Sequence, residues 1–131
     1  MSTAERRLAR ERALELLYEA ESRDESVAAA LARQRLDPDP YARALVEGVD
    51  RHRSEIDRLI EGCTEGWPLA RMAAVDRNVL RLGVYELAHC PDVPTGVVLS
   101  EATDLASEFS TDRSAPFVNG ILARLAGELR A

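Results

Sequence analysis

An all-α domain is predicted for this 131-residue chain by three observations. Apolar residues recur at helical spacing along almost its whole length, and no strand-length window alternates apolar with polar residues. The prolines from Pro38 to Pro94 fall where that periodicity breaks. With 46% hydrophobic and 31% charged residues, the chain is apolar enough to bury a core and too apolar for a disordered tail.

Each helix carries its own signals. Ser2, three residues before Glu5, forms a capping-box pattern that starts a first helix running to about Ser22. A shorter helix is expected from Ser26 to about Leu36, ended by Asp37-Pro38-Asp39-Pro40. Asp39 then serves as N-cap with Pro40 at the first helical position, and Leu45, Val49, Ile56 and Ile60 carry one helix as far as Gly62. After a break at Gly66-Trp67-Pro68, a long helix spans Ala74 to about His89, and Pro94 opens the next. Ser110 to Ser114 is a turn and cap cluster before a last helix from about Ala115. The expected assembly is one domain over 1–131 made of two packed three-helix groups, about 1–63 and about 66–131.

Composition excludes several classes. The 17 basic residues are all arginine and face 23 acids, and a net charge of -6 argues against a non-specific nucleic-acid coat while allowing a local basic patch. Cys63 and Cys90 form no CxxC, and His52 and His89 make no metal-ligand spacing with them, so neither a zinc site nor a disulfide is expected. No phosphate-binding loop, GxSxG elbow or HExxH is present, which argues against a cofactor and against an enzyme. No run approaches the roughly 18 apolar residues of a membrane span, and Arg6, Arg7 and Arg10 lead into no signal-like stretch, so a cytoplasmic protein is expected.

Three faces are candidates for binding. On the first helix Ala9, Ala13, Leu16, Leu17 and Ala20 form the buried stripe, with Arg7, Arg10, Leu14 and Tyr18 along one flank and four glutamates on the other. Guanidinium forks beside an aromatic plane suit single-stranded RNA. The plainer alternative pairs Arg7 with Glu11 and half-buries Tyr18. On the long helix, Asn78, Arg81 and Tyr85 form a polar stripe that either extends such a surface or is internal, with Arg81 paired to an acid such as Glu101. Finally, Ser114 as a helix cap beside Arg113 would make an anion site, where Phe117 either stacks on a base or belongs to the core.

Arg6 to Ala13 with Leu17-Tyr18, the block DRNVLRLGVYEL from Asp76 to Leu87, Asp92-Val93-Pro94, Glu101-Ala102, Leu105-Ala106 and FVNGIL from Phe117 to Leu122 together resemble the NusB family of transcription antitermination factors. The resemblance covers nearly the whole chain. It implies two perpendicular three-helix bundles and a non-enzymatic role in transcribing ribosomal RNA operons. It further implies binding to boxA RNA and to the ribosomal protein NusE on elongating RNA polymerase. Carried over by position, RNA would meet Arg6, Arg7, Arg10, Tyr18, Arg81 and Phe117, with Arg113 beside them, and NusE would face Asp76, Glu86 and Glu101.

Two departures from the family pattern oppose each other. The N-terminal arm is short and carries Glu5, which removes phosphate contacts, whereas Arg113 stands where relatives often have an acid. The competing reading is a protein-interaction module that binds NusE or itself without direct RNA recognition. A third, an RNA-modifying enzyme, arises because similar domains occur fused to methyltransferases. Family members occur as monomers and as homodimers, so either state is compatible with the sequence.

Overall fold

The computed structural model describes residues 2–130; Met1 and Ala131, the ends of the expected domain, lie outside the described residues. Within them the chain forms α1 (Thr3–Ser22), α2 (Val27–Ala32), α3 (Pro40–Arg51), α4 (Arg53–Glu61), α5 (Ala74–His89), α6 (Thr95–Phe109) and α7 (Ser114–Leu129), with a 3-10 turn at Leu69–Arg71 and no strand. The capping box at Ser2 and Glu5 is formed, and the Asp39 side chain accepts from the Tyr41 N–H behind Pro40.

The helix expected to run from Pro40 to Gly62 is two helices. His52 leaves helical geometry (φ -105°, ψ 19°) and is at once the last cap of α3 and the first of α4. This single residue re-aims the chain, so that α3 packs on α1 and α5 while Ile56 and Ile60 of α4 are carried into the core against α5. No proline or glycine marks the joint, which is why periodicity alone ran through it.

α1, α2 and α3 pack together, and α5, α6 and α7 form the other group, with α5 also contacting α1, α3 and α4. Their buried side chains make one cluster, from Ala13 through Leu45, Leu80 and Leu87 to Leu122 and Ala126. α5 is the central helix, as its two apolar sides predict, and its third side is internal too: Asn78 and Arg81 are buried. Arg130 fastens the end of this helix by donating to the carbonyls of Glu86, Leu87 and Cys90 at 2.9–3.0 Å.

Two glycines make opposite demands. A Cβ on Gly83 would stand 2.7 Å from Leu122 Cδ1, where α5 meets α7, whereas one on Gly120 would meet nothing within 4 Å. Gly83→Ala is therefore expected to destabilise by about 1–3 kcal/mol through overpacking. Gly120→Ala is expected to stabilise by about 0.5–1 kcal/mol through helix propensity. Urea midpoints of the two variants check both signs.

Candidate nucleic-acid interface

Two of the arginines expected to meet RNA are internal. Arg10 is 2% exposed; its guanidinium binds Glu86 twofold at 2.9 Å and lies 3.6 Å from Glu101. Glu86 also accepts from the Tyr41 hydroxyl at 2.5 Å. Burial opposes the charge of Arg10, but Glu86 together with Tyr41 and Glu101 outweighs it and the guanidinium pKa is raised. Arg81 is likewise held by both Asp57 oxygens at 2.9 and 3.1 Å and by Glu21 at 3.1 Å, not by Glu101. Both positions are corrected: each guanidinium is buried and engaged by carboxylates where α5 packs on the N-terminal helices.

Two of the three acids expected to face a protein partner, Glu86 and Glu101, require the same correction. Glu86 and Glu101 are buried against Arg10 and Arg7, and Asp76 accepts from the Ser110 hydroxyl at 2.7 Å. Glu86 and Glu101, so enclosed, present no charge to a basic surface, whereas Asp76 at 9% exposure borders an open cleft. Arg6 lies 3.4 Å from Asp92 with its guanidinium over the Tyr41 ring, and the half-exposed Arg7 spans Glu101 and Asp104 rather than reaching Glu11.

Ser114 is not the cap of α7. Arg113 holds that position, while the buried Ser114 hydroxyl donates to Ser110 Oγ and accepts from the Thr111 N–H. The helix end thus lacks the side-chain cap from which an anion site was expected. What stands open is its flank. Phe117 is 41% exposed and, with Trp67 at 56%, lines a cleft of about 340 Å³ together with Arg71, Met72, Ala73, Asp76, Thr111, Arg113 and Ser114. Neither Arg71 nor Arg113 makes an ion pair among the described residues. The sequence pattern does not single out Trp67 or Arg71, because Gly66-Trp67-Pro68 reads there only as a break.

Local structure turns Trp67 outward. Gly66 adopts φ +88°, a left-handed turn, and the Thr64 hydroxyl donates to the Trp67 carbonyl at 2.7 Å. Pro68 then starts the 3-10 turn that ends at Arg71, and Arg77 ties that turn to α5 by donating to the Leu69 and Met72 carbonyls at 3.1 and 2.9 Å.

On the other side of the start of α5, Val75 borders a second cleft of about 250 Å³ with Leu14, Tyr18, Phe109, Glu11 and Glu15. Tyr18 is 45% exposed there, beside the glutamates of α1 rather than in an arginine strip.

The thiols do not fit a chemical role. Burial and the neighbouring Glu86 push Cys90 up to about 11, and burial also raises Cys63. Alkylation of Cys90 by iodoacetamide at pH 8 is expected to run about two orders of magnitude slower than that of free cysteine, because so little thiolate is present. Mass-resolved labelling over time measures it.

A family model described as the NusB family matches residues 7–127. The chain belongs to the NusB family. A transcription antitermination protein NusB of Clavibacter sepedonicus is 52% identical over 127 residues, covering 90% of this chain and 93% of its own. Among solved structures, NusB of T. maritima superposes with a TM-score of 0.85 at 38% identity, covering 94% of this chain and 91% of its own. A structure of antitermination factors NusB and NusE in complex with double-stranded RNA gives a TM-score of 0.81 at 29% identity, covering 97% of this chain and 99% of that one. The all-helical NusB fold is thus shared along nearly the full chain. Among the described residues no helix is long and apolar enough to cross a membrane.

Proposed function

We propose that this NusB-family chain is a transcription antitermination factor that acts by binding and not by catalysis, as a single unit in the cytoplasm. It takes up boxA RNA of ribosomal RNA operon transcripts together with NusE, and the assembly acts on elongating RNA polymerase. The observation that carries the RNA half of this reading is the cleft in which Trp67 and Phe117 are exposed beside Arg71 and Arg113. Aromatic planes with guanidinium groups lacking acidic partners suit unpaired bases and their phosphates. Tyr18, across the start of α5, offers a further stacking plane, and Arg7 a further cation once it exchanges Asp104 for a phosphate. The NusE half rests on the family and on the relative solved with NusE.

Fluorescence anisotropy with a short boxA-like single strand, a scrambled strand and the matching duplex tests the reading, each with and without NusE. Saturable binding by the chain alone, selective for the boxA strand and falling with salt, is the expected result. Binding that occurs only after NusE is added would replace it with the protein-interaction module. Preference for the duplex would overturn the single-strand assignment.

A further inference from the structure

Both histidines of the chain stand side by side. His52 lies at the joint between α3 and α4, His89 ends α5, and their rings stack with centroids 3.9 Å apart. Glu55, in the first turn of α4, meets both: one carboxylate oxygen lies 3.5 Å from His52 Nδ1 and the other 3.7 Å from His89 Nε2. The three ligand atoms are all within 4.8 Å of one another. The separations are too long for good hydrogen bonds, although both rings also lie against Tyr85, with centroids 6.2 and 5.3 Å away. The nitrogen–oxygen separations do approach the edge of a metal tetrahedron, about 3.4 Å for bonds of roughly 2.0–2.1 Å.

We propose that His52, Glu55 and His89 form a site for a divalent transition metal, with Zn²⁺ as its reference ion. Two imidazole nitrogens and a carboxylate oxygen suit zinc, nickel or copper and not the all-oxygen preference of magnesium or calcium. The stacked rings must fan apart by side-chain rotation to point both nitrogens at one ion. Partial exposure, 30% for His52 and 29% for His89, leaves room for that motion and for water to complete the coordination. Each imidazole binds as the neutral base. A bound ion would clip the joint between α3 and α4 to the end of α5. No residue is shared with the cleft of Trp67 and Phe117.

The test is calorimetric titration of the chelator-treated full chain with ZnCl₂, with MgCl₂ as control, on the wild type, H89Q and E55Q. Circular dichroism verifies that each variant folds. One Zn²⁺ per chain, no Mg²⁺ binding, and an affinity at least about tenfold weaker in H89Q and in E55Q are expected. Because the chain has 2 histidines, Co²⁺ below one equivalent should broaden both sets of imidazole proton resonances together. No saturable Zn²⁺ binding, or binding that H89Q leaves within about twofold, as capture by Cys63 or Cys90 would, overturns the proposal.

Discussion

Replacing Arg10 by methionine is expected to destabilise the fold by about 3–5 kcal/mol, the cost of leaving a buried acid without its counter-charge. One carboxylate would be stranded: Glu86 is 2% exposed and has this guanidinium as its counter-charge, whereas Glu101 keeps its closer pairing with Arg7. Tyr41 softens the loss only partly: its hydroxyl still donates to Glu86, and burial together with that carboxylate holds its own ionisation far above the ordinary tyrosine range. The urea midpoint should fall with the slope unchanged. In a double-mutant cycle, Arg10→Met with Glu86→Leu should cost much less than the sum of the two single changes. Additive losses would mean that the pair is not coupled. A charge reversal at Arg10 would therefore report on folding before it reported on RNA.

The same residue shows where reading the sequence stops. Helix periodicity, caps and the proline joints place α1, α5, α6 and α7 within a residue or two, because each is decided by neighbours close in sequence. The stripe of α1 was legible as Ala9, Ala13, Leu16, Leu17 and Ala20, and it gains Arg10 and Leu14 once α5 lies against it. Whether an arginine at the edge of such a stripe faces solvent depends on whether an acid waits on another helix, and Glu86 is 76 residues away. Arg81 and its partners Asp57 and Glu21 repeat the point. The short-range pairings expected within helices gave way to long-range ones, which no spacing rule encodes. Conversely, Phe117 stays exposed although a first-turn phenylalanine in an amphipathic helix is ordinarily core, because the neighbouring Val118, Ile121 and Leu122 already fill the face toward α5 and α6.

That exposure carries the second large effect. Truncating either aromatic of the cleft, Phe117→Ala or Trp67→Ala, is expected to weaken binding of boxA-like single-stranded RNA by about 1–3 kcal/mol per stacked base, roughly 5- to 150-fold in Kd. Stability should change little in Phe117→Ala, because the ring is largely outside the core. Arg71→Gln and Arg113→Gln should behave differently from the aromatic variants. Each removes a phosphate contact, so besides weakening binding each should flatten the dependence of log K on log salt by about 0.7, whereas loss of a stacked ring leaves that slope in place. Anisotropy at several salt concentrations separates the two classes in one series. A wild-type affinity in the Phe117 and Trp67 variants, with their folds intact, would remove the cleft from the RNA path. The half-exposed Arg7 and the Tyr18 groove beyond α5 would then be the surface to vary next.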